Sequence, residues 1–233
     1  FYNETKQESV FNLELPQSQI HPGKTVFEIS DFNFSFSAQA LPLWTGKLNL
    51  TMKGPKRWAL AGDNGSGKST LLSLLLTNQT TPLGFCQGMF QLGDIHIAML
   101  DQEYQILDSR LSVLENVKKD SELTEVEVRN QLARFQLFGD QPLQKVSSLS
   151  GGEKLKAALA KIFLSKKTVQ FLILDEPTNN LDLPSLEILE QALSVFQGAL
   201  LVVSHDQKFL ENIGIERVFT LVKQGAKSAQ SLK

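Results

Sequence analysis

The nine residues Gly62-Asp63-Asn64-Gly65-Ser66-Gly67-Lys68-Ser69-Thr70 are the segment whose types and spacing most directly imply chemistry. They have the GxxxxGK[ST] spacing of a loop that cradles phosphates. Gly62, Gly65 and Gly67 let the backbone curl around a polyphosphate with its N–H groups turned inward, where side chains would block close approach. The expected nucleotide contacts are Gly62, Asn64, Gly65, Ser66, Gly67, Lys68, Ser69 and Thr70, with Lys68 reaching the β and γ phosphates and Ser69 offering a hydroxyl to Mg²⁺. Arg57 to Ala61 before the loop reads as a buried strand, and Ser69 to Thr77 after it as a Leu-rich helix whose N-terminus adds partial positive charge.

Four further groups fit the same chemistry. Phe171-Leu172-Ile173-Leu174 is a continuous apolar run, as in a strand covered on both faces, and delivers Asp175-Glu176 at its carboxyl end. Asp175 would hold Mg²⁺ and Glu176 orient or polarise an attacking water; the bland reading is a surface turn ending a strand. Leu149-Ser150-Gly151-Gly152-Glu153 precedes a helix with an apolar stripe of Leu155, Ala158, Leu159, Ile162 and Phe163. Ser150 and Glu153 have capping-box spacing, yet the same residues could present a hydroxyl and backbone N–H groups to a γ-phosphate, and the two readings are compatible. His205, in Ser204-His205-Asp206, follows an apolar strand and suits a γ-phosphate sensor. Gln102 also follows a strand, with an amide that could reach Mg²⁺ or the water.

The elements that position these groups alternate in an α/β pattern. Thr25 to Ser37 reads as a half-buried strand with Phe32, Phe34 and Phe36 alternating with Asn33, Ser35 and Ser37, and Gly46 to Met52 as a second strand. Gly93 to Leu100 reads as a strand, and 103 to 148 as a charged insert with helical spacing over Val113 to Lys118 and Thr124 to Phe138. Val169 to Leu174 and Ala199 to Ser204 read as parallel strands, Pro184 to Phe196 as a helix with Leu186, Leu189, Leu193 and Phe196 on one side, and Glu216 to Val222 as an edge strand. Residues 1 to 24 read as a loosely ordered linker or tail, 25–223 as one nucleotide-binding domain with a helical subdomain near 103–165, and 224–233 as a flexible tail.

Composition bounds the rest. A chain of 233 residues at 42% hydrophobic can bury a full core. Net charge −2 gives no electrostatic footprint for nucleic acid. One cysteine, Cys86, excludes an internal disulfide and a thiolate metal cluster and suits a reducing cytoplasm. No run of 18 apolar residues occurs, so stable membrane insertion is not expected. A start on Phe1 suggests a piece of a longer protein.

Taken in order, GDNGSGKST at 62–70, Gln102, LSGGE at 149–153, LILDEPTNNLD at 172–182 and SHD at 204–206 resemble the nucleotide-binding domain of the ABC ATPases. The resemblance implies a mainly parallel P-loop sheet with an antiparallel β subdomain and a small helical subdomain. It implies a split site, with the phosphate loop of one domain facing Ser150, Gly151, Gly152 and Glu153 of another across ATP, and therefore a head-to-tail or tandem partner. It assigns catalysis to Glu176, His205 and Gln102, and Mg²⁺ to Ser69, Gln102 and Asp175. It also places an aromatic beside adenine, for which Phe36 fits by position and Trp44 is the second choice, although a core stripe of Phe32, Phe34 and Phe36 fits the pattern equally.

EPTNNLD looks most like the ABC-F branch, which usually has histidine at the place of Asn180 and arginine at the place of Lys156. That branch carries two such domains, lacks membrane spans and acts on ribosomes; the short insert between Gln102 and LSGGE and the polar leader 1–24 fit the end of the helical linker that joins the two, so the chain is expected to be the second domain. The alternatives are a transport motor whose segment 103–148 receives a membrane subunit, and an ATP-clamped scaffold with little turnover.

Overall fold

The computed structural model describes residues 18–78, 84–179 and 181–224; residues 1–17 of the expected linker, residues 79–83, Asn180 and residues 225–233 of the expected tail lie outside them. In chain order the elements are β1 (Thr25–Ser35), β2 (Leu48–Lys53), β3 (Arg57–Ala61), α1 (Lys68–Thr77), β4 (Phe85–Leu92) and β5 (Ile97–Leu100). They continue as α2 (Val113–Asp120), α3 (Glu125–Arg134), α4 (Gly151–Phe163), β6 (Phe171–Asp175), α5 (Leu183–Val195), β7 (Ala199–Val203), α6 (Gln207–Asn212) and β8 (Arg217–Thr220). Contacts divide them into two compact units, one of Leu107–Lys166 with Leu181–Val195, the other of the described residues within Gln17–Ile106, Lys167–Asn180 and Phe196–Lys233.

The second unit holds both sheets. Its parallel sheet has the order β5-β6-β7-β3-β8, so β8 is an edge strand and β6, β7 and β3 are flanked on both sides. Full burial of β7 and of Phe171 to Leu174 in β6 explains their unbroken apolar sequences. The antiparallel sheet has the order β2-β1-β4. This α/β architecture is the one expected.

Several elements differ from the sequence reading for local reasons. In β1 the strict alternation breaks at Asp31, which has φ 49° beside a register shift in both pairings. Asn33, read as solvent-facing, is consequently buried: its Nδ2 donates to Trp44 O (2.9 Å) and Gly46 O (2.7 Å), and its Oδ1 accepts from Trp44 N (3.2 Å). β4 was not anticipated, because most of its side chains are exposed and only Phe90, whose ring lies 5.2 Å from that of Phe32, and Leu92 pack partly against the core. β5 begins four residues later than expected, since Gly93 to Ile95 is a turn closed by Ile95 N–H to Gly93 O (3.0 Å). Within the expected linker Ser18 and Ile20 are packed, not loose: Ile20 joins the core and Ser18 Oγ accepts from Gln197 N (2.9 Å).

The first unit is helical. α2, α3 and α4 each start on a capping box, Ser112/Glu115, Thr124/Glu127 and Ser150/Glu153. The stripe expected on α4 is buried. On α5 the buried face is Ser185, Ile188, Leu189, Ala192 and Leu193, rotated from the expected one, and Leu186 is half-buried. α5 follows β6 in sequence but belongs with the helical unit, where it packs on α4.

These caps carry a pH dependence. The backbone N–H of each capping residue, then its hydroxyl, holds Glu115, Glu127 and Glu153 below the ordinary 4.5, and the Ser185 hydrogen bonds hold Asp182 below 3.8. Carboxylates depressed in the folded state contribute stability that is present above those ordinary values and lost as pH falls through the folded ones. Asp175, in the other unit, is raised by burial, so acid relieves it. Hydrogen exchange below pH 4.5 is therefore expected to show amides of α2 to α4 losing protection before those of β3, β6 and β7; the reverse order would contradict this.

Candidate functional site

β3 ends at Ala61, the chain turns through Gly62 to Gly67, and α1 begins at Lys68. Gly67 has φ 93°, and a Cβ there would lie 2.7 Å from Leu43 Cδ2 and 2.8 Å from Trp44 Nε1, so conformation and packing both require glycine. Trp44 is 1% exposed and its Nε1–H donates to Ser66 O at 2.9 Å. It braces the loop from beneath, which removes it as a stacking partner for a base. Lys68 Nζ donates to Gly62 O (2.6 Å) and Asp63 O (3.2 Å), closing the loop on itself. No acidic residue stands in the first turn of α1, so the helix N-terminus keeps its partial positive charge.

Parallel registry brings the other groups to the same edge. Leu100 pairs with Leu174, and Asp175 with Val203, so the carboxyl ends of β5, β6 and β7 are adjacent. A cavity of about 910 Å³ lies there, lined by Asn64, Gly65, Gly67, Lys68, Ser69 and Thr70 of the loop, by Gln102 after β5, and by Asp175 and Glu176 after β6. Asp175 is raised by burial and by the carboxylates of Glu176 and Asp101, with Lys68 acting the other way. Such crowding of negative charge favours a cation. The donors of Ser69, Gln102 and Asp175 are all oxygens, the chemistry Mg²⁺ takes when it keeps waters and substrate phosphates as its remaining ligands.

Glu176 has φ 48°, a left-handed conformation uncommon outside glycine, and its N–H is fixed to Val203 O at 2.8 Å. Its side chain is 13% exposed, with Oε1 3.4 Å from Nε2 of His205, whose side chain is 73% exposed. His205 itself lines a second cavity of about 270 Å³, shared with Lys68, Gly62 and Ser204. It therefore touches the larger cavity's chemistry through Glu176.

Phe36 settles differently from its neighbours. Phe32 and Phe34 are buried, whereas Phe36 follows the end of β1, is 63% exposed and lines the large cavity, its ring edge-on to Phe34 at 5.1 Å between centroids. The core stripe ends at Phe34.

Ser150, Gly151, Gly152 and Glu153 belong to the helical unit. Ser150 N–H and Oγ–H both donate to Glu153 Oε2 at 2.8 Å, and Glu153 N–H returns a bond to Ser150 Oγ at 3.3 Å. Gln141 Nε2 donates to Glu153 Oε1 at 2.8 Å, while Gln141 Oε1 accepts from Phe138 N at 2.9 Å. A Cβ on Gly152 would lie 2.3 Å from Ser185 Oγ, so the glycine is where α5 approaches α4. Cap geometry and an exposed helix N-terminus thus coexist at Ser150.

Sequence reasoning gave no role to Gln141, Asp101 or the Trp44 brace. Only Asp101, adjacent to Gln102, carried a usable signal; it lines the cavity and its carboxylate accepts from Gln105 N at 2.9 Å.

The family profile described as ABC transporter matches residues 45–179. The chain belongs to this ABC family, as an ATP-binding domain. ATP binding with Mg²⁺ and ATP hydrolysis are the chemistry that the family implies. Similar proteins include ATP-binding protein Uup of Buchnera aphidicola (subsp. Schizaphis graminum), 35% identical over 91% of this chain and 35% of that protein. ABC transporter F family member 5 of Arabidopsis thaliana is 34% identical over 82% of this chain and 27% of its own length. ATP-binding cassette sub-family F member 3 of Mus musculus is 36% identical over 70% and 23%. This ABC domain thus has F sub-family members among its relatives and spans about a third or less of their length. Among the described residues no helix is long and apolar enough to cross a membrane.

Proposed function

We propose that this chain is one of two ATP-binding domains, the second, of an ABC-F protein that works in the cytoplasm, where ATP closes the pair and closure acts on the ribosome. One observation carries the reading of the site: a single cavity is lined by the phosphate loop, Gln102, Asp175, Glu176 and an exposed Phe36. The tandem arrangement is supported by the share of its relatives that the chain spans, and the branch by their F sub-family names.

In this reading Phe36 offers its ring face to adenine, and Lys68 leaves the carbonyls of Gly62 and Asp63 for the β and γ phosphates. Ser69, Gln102 and Asp175 hold Mg²⁺, which supplies charge neutralisation on the phosphate oxygens. Glu176 takes the proton of the attacking water as the γ-phosphorus gains that oxygen and loses its bond to ADP. His205 touches Glu176 Oε1 and stands where it can sense the γ-phosphate. Ser150, Gly151 and Gly152 complete the site on the partner domain, with Ser150 Oγ turning from Glu153 to the γ-phosphate and Glu153 keeping the helix start in place. Binding drives closure only by its higher affinity for the closed pair.

The test is capture by the full-length protein carrying Glu176→Gln in the presence of ATP. Recovery of ribosomes supports the ABC-F reading. Recovery of a membrane complex instead would make the domain the motor of a transporter, and recovery of neither would overturn the ribosomal role.

A further inference from the structure

Past β8 the chain turns back along the loop that braces the phosphate site. Thr45 N donates to Val222 O (2.9 Å), Thr45 Oγ1 donates to Lys223 O (2.9 Å), and Gln224 N donates to Leu43 O (2.9 Å), with Trp44 and Lys223 forming an antiparallel bridge. Leu43 N in turn donates to Phe34 O at 2.7 Å, two residues before Phe36. This clamp sets Lys223 and Gln224 into the wall of the large cavity together with Phe36, Leu41, Pro42 and Leu43. The apolar members suit the face of a flat ring, but stacking accepts every base because every base has such a face. Telling bases apart requires a donor or acceptor at the ring edge.

Of the lining residues that the clamp joins, Lys223 and Gln224 are the polar ones; the cavity's other polar side chains stand in the phosphate loop and after β5 and β6. An ammonium only donates, so it cannot take a hydrogen bond from the amino group of adenine, whereas a carboxamide oxygen can. Gln224 makes no side-chain hydrogen bond among the described residues, so its carboxamide is not committed elsewhere there. We propose that Gln224 is the base-specificity residue of this site, its Oε1 accepting from the exocyclic amino group of adenine while Phe36 stacks on the ring. The clamp is made by the Gln224 backbone, so Gln224→Ala removes the reader and leaves its mount in place. The proposal rests on nucleotide occupying this cavity as described under the proposed function.

The experiment is calorimetric binding of ATP and of purine riboside triphosphate, which lacks the amino group, to this chain and to its Gln224→Ala variant. The unmodified chain is expected to prefer ATP roughly three- to tenfold, as one hydrogen bond allows, and the variant to bind both alike with the analogue's affinity unchanged. An ATP preference that is absent in the unmodified chain, or that survives in Gln224→Ala, overturns the assignment while leaving the nucleotide site intact. Failure of the unmodified chain to bind either nucleotide would instead overturn the site itself, and the proposal with it.

Discussion

Replacing Lys68 with alanine is expected to weaken ATP binding by about 2 to 3 kcal/mol, the range of a hydrogen bond to a charged group, or roughly 30- to 150-fold in Kd. Lys68 Nζ is already directed into the phosphate loop by Gly62 O and Asp63 O, at 2.6 and 3.2 Å, so binding exchanges two neutral acceptors for phosphate oxygens without moving the helix. The N-terminus of α1 has no acidic side chain to cancel its field, so the ammonium and the backbone N–H groups act on the same phosphates. Titration calorimetry with ATP and Mg²⁺ on the purified chain reads the loss. A Kd within twofold of the unmodified chain would mean that the triphosphate does not sit in this loop.

Glu176→Gln is expected to keep ATP and slow its cleavage by roughly 10² to 10⁴, the usual contribution of a positioned general base. The carboxamide has nearly the same shape, and the fixed left-handed backbone at φ 48°, with its N–H on Val203 O, is unaffected by the exchange. Lys68, Ser69 and Asp175 remain, so phosphate and metal contacts survive. Lost is the ability to take the water's proton, along with the charge facing His205 Nε2 at 3.4 Å. Single-turnover phosphate release from a paired form measures the difference. Cleavage at the unmodified rate would remove Glu176 from the catalytic step.

Much of this arrangement is legible in the chain because it depends on local rules. A phosphate loop is defined by glycines at fixed spacing, and a buried parallel strand announces itself as an apolar run ending in Asp175-Glu176. What escaped depends on contacts between distant segments. Trp44 reads as any aromatic until Asn33 draws its loop inward and Ser66 O receives its indole N–H. Asn33 reads as a surface residue because the irregularity at Asp31 that turns it inward leaves no period in the sequence. β4 is partly covered only at Phe90 and Leu92, too short an alternation to mark a strand. Lys223 and Gln224 owe their place in the cavity wall to a backbone clamp across some 180 residues, which no local pattern encodes. α5 shows the converse: its helical period was visible, but neither its exact buried face nor its membership in the helical unit was.

Under the proposed function the nucleotide site is half of a site, completed by the Ser150 end of a second domain. The most direct test is the specific ATPase activity of the isolated chain as a function of its own concentration. Slow turnover per chain that rises as concentration drives pairing is the predicted result. Fast turnover, constant down to concentrations where only monomer is present, would contradict it.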